Sequence, residues 1–194
     1  MRKGSTGGSS TLTGQKFDDL TRLKNYILKN SKYSTNTILT YKGTEKRKRV
    51  VKCIEEVLEN NKVVGVLLEQ YKLCKYLKIK HNIIIDPNDD TKISNVLLPD
   101  DCFLDLRNKV ITIFEKKSQH GGGSVDEKLA ACKFKKEEYE KWVKPLGWTV
   151  KYVFVLDKWF KENHYTKHKD LYNFVKANGC DYMFEDIDIS YINL

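Results

Sequence analysis

PDDCFLDLRNKVITIFEKKSQ, residues 99–119, sets two apolar runs on either side of a polar Arg-Asn-Lys. CFLDL and VITIFEKK have the β-branched and aromatic content of strands. Arg107-Asn108-Lys109-Val110 can join them as a tight hairpin with Asn108 and Lys109 in the turn, because Asn tolerates left-handed backbone. That turn pairs Leu106 with Ile111, Leu104 with Ile113, Cys102 with Glu115 and Asp100 with Lys117. Side chains alternate along strands, so all of these share one face. The apolar residues and the cysteine fill the turn end and middle, and Asp100, Glu115 and Lys117 meet at the open end. The other face carries Asp101, Phe103, Asp105, Thr112, Phe114 and Lys116. A slip of one residue would separate Asp100 from Glu115, so register decides whether the charges meet.

Two carboxylates a few ångströms apart repel unless a cation lies between them. A divalent metal is the direct solution, and hard oxygen ligands favour Mg²⁺. Lys117 then points its charge at a substrate. This is a layout for metal-assisted phosphodiester hydrolysis, in which the lysine stabilises developing charge or orients water.

Pro99-Asp100, then fourteen residues, then Glu115-Lys116-Lys117 resembles the PD-(D/E)xK motif of the restriction-endonuclease-like nuclease superfamily. Gln119 extends it toward the ExKxQ variant. The resemblance covers residues 98–156 and does not extend over residues 30–95. It implies an α/β (mixed α+β) fold with an α-β-β-β-α-β core sheet flanked by helices. It also implies metal ligation by Asp100, Glu115 and the backbone carbonyl of Lys116, with Lys117 as catalytic lysine and Gln119 at the scissile phosphate or its water. Members of that superfamily often add an acid from the first helix. Asp18 in TGQKFDDL is the candidate, although Glu is commoner there. The implied protein is a Mg²⁺-dependent endonuclease on double-stranded DNA, with Mn²⁺ as a substitute. It most resembles a type II restriction enzyme acting as a homodimer.

Residues 1–13 read as a flexible Ser/Gly/Thr-rich N-terminus, residues 14–97 as a mainly helical recognition part, and residues 98–194 as the catalytic core. Within the middle part, residues 14–28, 46–61 and 63–79 carry helical apolar spacing, with a strand as the alternative at the start of 63–79 and a short β segment at residues 37–41. DPNDD, residues 86–90, and HGGGS, residues 120–124, read as loops. Residues 126–143 read as a helix ending before Pro145. Residues 149–157 are a dense, buried strand, residues 169–179 a short helix with Gly179 at its end, and residues 180–184 a last strand.

The chain of 194 residues carries 35 Lys and Arg against 26 Asp and Glu, a formal net charge of +9, which favours anionic partners. Lys46-Arg47-Lys48-Arg49 and Lys133, Lys135, Lys136 are its densest basic runs, readable as phosphate contacts or as solvated faces. Five widely spaced cysteines without a CxxC pair argue against a disulfide framework or zinc site and fit a reducing cytoplasm best. The absence of long apolar runs leads us to expect neither a signal peptide nor a membrane span. His164 and His168 are spaced for one helix face but lack a third ligand, and are expected at the surface. A structure-selective nickase, resolvase or repair nuclease of the same fold, an RNA-directed nuclease and a non-catalytic basic nucleic-acid-binding protein are the alternatives.

Overall fold

A computed structural model of the chain describes residues 7–42, 49–85, 96–119, 125–162 and 165–194. Helices α1 (Gly7–Leu20) and α2 (Leu23–Lys29) precede three strands, β1 (Tyr33–Lys42), β2 (Arg49–Glu59) and β3 (Lys62–Leu68). Helix α3 (Tyr71–His81) leads to β4 (Asp101–Asp105) and β5 (Val110–Lys117). Then follow α4 (Val125–Ala130), α5 (Cys132–Val143), β6 (Thr149–Leu156), α6 (Lys158–Glu162), α7 (Lys169–Ala177) and β7 (Asp181–Phe184).

The seven strands form one mixed sheet in chain order. Neighbours from β1 to β5 are antiparallel, and β5, β6 and β7 run parallel. Helices cover both faces, because both faces are apolar. Cys102, Leu104, Ile111, Ile113, Tyr152 and Phe154 pack under α3, α5 and α7. Phe103, Phe114, Val153 and Val155 pack on the other side against Leu23 and Ile27 of α2 and Ile187 and Ile192 of the C-terminal segment. This two-sided burial is why β6 lacks hydrophobic alternation.

The N-terminal expectations need correction. Residues 7–13 belong to α1 rather than to a flexible tail. The stretch 14–97 is not mainly helical, since it contributes three strands of the sheet. Residues 49–59, expected within a helix, are β2. Ile54 and Val57 are three apart, as on a helix face, yet they enter opposite cores of the sheet. Residues 62–68 are β3, and only the later part of the 63–79 stretch is helical. The Glu59-Asn60-Asn61-Lys62 turn joins β2 to β3 with positive φ at both asparagines, 51° and 61°. Such a two-residue hairpin turn suits Asn.

The expected strands at 102–106, 110–117, 149–157 and 180–184 and the helix at 169–179 are present within a residue or two. Gly179, φ 67°, follows the end of α7. The helix over 126–143 is split at Ala131 into α4 and α5. The expected loops at 86–90 and 120–124 lie outside the described residues. Among the described residues, no helix is long and apolar enough to cross a membrane.

Candidate functional site

The β4–β5 hairpin is wider at its turn than the sequence suggested. Four residues, Leu106–Lys109, connect the strands, and Asp105 organises them. Asp105 Oδ1 accepts from the backbone N–H of Arg107 at 3.0 Å and of Asn108 at 3.1 Å, and Oδ2 accepts from Asn108 Nδ2 at 2.7 Å. Asn193 Nδ2 donates to the same Oδ2 at 2.9 Å, tying the turn to the C-terminal segment. The ladder therefore pairs Leu104 with Ile111 and Cys102 with Ile113, two residues off the expected register. A shift of two preserves the faces. Continued past Asp101–Phe114, this register brings Asp100 opposite Glu115 instead of opposite Lys117.

Asp100 Oδ2 accepts from the Lys116 backbone N–H at 2.8 Å. Lys117 Nζ donates to Glu115 Oε1 at 2.7 Å and to the Lys116 carbonyl at 3.0 Å. Lys135, from α5, reaches the same Glu115 Oε1 at 2.8 Å. Burial raises the Asp100 carboxyl above the usual aspartate range, and the Glu115 charge adds to that rise. Burial acts on Glu115 in the same sense, but the Lys117 and Lys135 ammoniums overcome it and hold that carboxyl below the usual glutamate range.

On the opposite face of the same sheet end, Lys116 Nζ is 2.7 Å from Asp101 Oδ2, and both side chains are almost fully buried. Asp101 Oδ2 also accepts from the Leu23 N–H at 3.1 Å, and Lys116 Nζ donates to the Asp18 carbonyl at 3.1 Å. These bonds dock the end of α1 and the start of α2 onto the sheet. Burial, and then the charge of Asp100, raise the Asp18 carboxyl. A cavity of about 350 Å³ opens there, lined by Asp18, Asp19, Glu69, Asp100, Asp101 and Lys116 among others.

Asp100, Glu115, Lys117 and Asp18 thus gather at one sheet end. Gln119 follows on the chain, with its N–H held by Asp157 Oδ2 at 2.8 Å, an oxygen that also accepts from Ser118 Oγ at 2.6 Å. Sequence reading missed Asp101, Glu69 and the side chain of Lys116. Asp101 was legible only as a strand residue facing away from Asp100, and Glu69 had been placed in a helix. Lys135 stood out only as one of a basic run. Its neighbours Lys133 and Lys136 pair with Glu137 and Glu140 of their own helix, and Lys135 alone of the three reaches Glu115. Lys46, Arg47 and Lys48 lie outside the described residues, as do His120 and His164. His168 is buried against Trp159, Phe160 and Tyr172 and is not at the surface.

Among the described residues, no three His, Cys, Asp or Glu side chains form a metal-binding group. Asp18 and Asp101 line the neighbouring cavity with Asp100, while around Lys117 the sheet end offers the Asp100 and Glu115 carboxylates and the Lys116 carbonyl. The Lys117 ammonium bonds two of those three oxygen groups, so a cation already stands where they converge. All are hard oxygens, which suits Mg²⁺, an ion commonly held by one or two carboxylates with water and substrate phosphate completing its shell. No family model matches the chain, and no curated protein or solved structure is significantly similar to it.

Proposed function

We propose that the chain is a metal-dependent endonuclease acting on double-stranded DNA, of the PD-(D/E)xK type and closest in character to a type II restriction enzyme. The observation that carries the proposal is the meeting of Asp100, Glu115 and Lys117 at one end of the β4–β5 hairpin, with Glu115 bonded to Lys117. The succession β3, β4, β5, then α4 and α5, then β6 parallel to β5 supports the α-β-β-β-α-β core. The insertion of α3 between β3 and β4 departs from its simplest form.

Asp100, Glu115 and the Lys116 carbonyl would hold Mg²⁺ or Mn²⁺, and a bound metal supplies phosphate polarisation and a water of lowered pKa. The Lys116 ammonium is engaged by Asp101 on the opposite face, so Lys117 is the motif cation that would contribute its charge to the phosphoryl oxygens. Lys117 and then Lys135 hold the Glu115 carboxyl below the usual glutamate range against its burial, which favours the ionised acceptor. Gln119 follows Lys117 closely enough along the chain to orient the attacking water.

The test is plasmid cleavage with Mg²⁺ or EDTA by wild type and Lys117→Ala. Discrete Mg²⁺-dependent fragments, reduced about 10²- to 10³-fold by the substitution, are the expected outcome. Nicked circles alone would indicate a nickase or repair enzyme. A second reading has its own support: Lys117 and Lys135 already neutralise Glu115 without a metal. On that reading the protein binds nucleic acid without cutting it, and binding without turnover in either metal would establish it.

A further inference from the structure

The strands β1 and β2 outrun the rest of the sheet. The last β2–β3 pair at that end is Glu55 with Leu67, whereas β1 and β2 go on pairing to Lys42 and Arg49. The six residues 49–54 therefore form a free two-stranded ribbon with residues 38–42, on the order of 20 Å long at 3.3 Å per residue. Its root is fixed, because Ile38 and Ile54 stand opposite each other and pack into the main core. Beyond the root, no third strand among the described residues pairs with it, and a two-stranded ribbon alone is marginally stable in water.

The register also tells which way the ribbon points. Leu67 pairs with Phe103, and Phe103 with Thr112, so the last β2–β3 pair is level with those residues. Asp100 and Glu115 lie three residues farther toward the same end of the sheet. The ribbon overhangs that end two strand positions from β4, about 10 Å to the side.

Its charge is of one sign. Residues 38–42 and 49–54 include Lys42, Arg49 and Lys52 and no acid. Lys42 stands directly opposite Arg49. The register thus sets two basic residues at one ladder position, a pattern that suits an anionic partner. A two-stranded ribbon fits the major groove of duplex DNA, which is about 12 Å wide. A register shift between Thr40 and Tyr41 bends the ribbon along its length, as bulges do.

We infer that the β1–β2 ribbon is an arm that grips duplex DNA through its phosphates and lays it across the Asp100–Glu115 end of the sheet. The assignment rests on the nuclease proposal only in placing a duplex at that end, and it holds equally for a protein that binds without cutting. An acidic protein partner or a second copy paired along the β1 edge would use the same strands, but neither explains why the cations cluster at the overhanging end.

The experiment is fluorescence anisotropy of a short labelled duplex in EDTA, titrated with salt. It compares wild type, the triple variant Lys42→Ala, Arg49→Ala, Lys52→Ala, the charge-preserving swap Lys42→Arg, Arg49→Lys, Lys52→Arg, and the control Lys62→Ala. In the triple variant, binding is expected to weaken roughly tenfold or more, and the slope of log K against log salt to fall by about 3. The swap is expected to bind as wild type, which separates lost charge from lost fold, and Lys62→Ala, at an exposed lysine on the far end of the sheet, to keep the wild-type slope. Wild-type binding by the triple variant, or a swap as weak as the triple variant, overturns the arm. A changed oligomeric state with unchanged DNA binding makes the ribbon a self-association edge and likewise overturns it. Arm-dependent binding with no cleavage in Mg²⁺ sinks the nuclease proposal and leaves the arm standing. A wild type that binds no duplex overturns both.

Discussion

Asp100 and Glu115 face each other and titrate in opposite directions. Asp100 has its folded pKa raised, first by burial and then by Glu115. Stability from its protonated form is present below the unfolded pKa and is lost as pH rises through the folded one. At neutral pH the ionised Asp100 is therefore a cost. Asp100→Asn keeps an oxygen for the Lys116 N–H and removes that charge. Its Tm at pH 7 is expected to exceed that of wild type by a few degrees while cleavage is lost, a signature of a site held against stability. The gain should vanish as pH falls into the carboxylate range. Glu115 has its folded pKa lowered, so its contribution is present above the unfolded pKa and disappears as pH falls through the folded value. Glu115→Gln keeps an amide oxygen but removes the negative charge that two half-buried ammoniums share. A loss of about 2 kcal/mol is expected at pH 7, discounted because Lys117 and Lys135 keep partial access to solvent. Thermal melts of both variants across pH 3–8 check the pair. Shifts of the same sign would disprove the opposed environments. The face shared by Asp100, Glu115 and Lys117 was legible because strand alternation is local. The partners Lys135 and Lys116–Asp101 were not, since each depends on which helix lands on which face.

β3 shows what an element needs beyond its pattern. Gly65 lies under the Phe103 ring, and a Cβ there would stand 2.7 Å from the Leu104 carbonyl oxygen as well as overlapping the ring. That oxygen belongs to the backbone of β4 and cannot rotate away. Gly65→Ala is expected to destabilise by about 3 kcal/mol through overpacking. It should also disturb the β3–β4 ladder, whose register sets the level of Asp100 relative to Glu69. Urea unfolding measures the first effect, and amide exchange at Phe103 and Leu104 the second. An alanine variant as stable as wild type would mean the ring moves freely aside. The same element explains why the N-terminal half was misread. Ile54 and Val57 have helix-like spacing because a sheet covered on both faces buries odd and even positions alike. The sequence did contain the corrective signal, the Asn60-Asn61 pair, whose left-handed preference marks a hairpin between two apolar runs. The β4–β5 register was two residues off for a related reason. Asp105 is the last residue of β4, and its carboxylate also holds the turn open to four residues, which strand alternation alone does not reveal.

At the scale of the whole molecule, one end of the sheet collects the carboxylates, Lys117 and the ribbon, and each chain carries one such Asp100–Glu115–Lys117 group. The two strands of a duplex run antiparallel, so one group presents the right geometry to one strand only. Cutting both strands at a site requires a second copy related by a two-fold axis that coincides with the dyad of the DNA. Homodimeric action therefore follows from the type II proposal, and it sets the time course of plasmid cleavage. With protein in excess, linear DNA is expected to appear without a lag and without accumulation of nicked circles. On dilution below the dimer dissociation constant, the rate should fall with the square of protein concentration, because two chains must meet on one site. A mixture of wild type with excess Lys117→Ala should convert the products to nicked circles, since mixed pairs hold a single competent group. Nicked circles that build up first at every concentration, with a rate linear in protein, would instead make the protein a one-strand enzyme. The shared sheet end would then serve a nick or a junction.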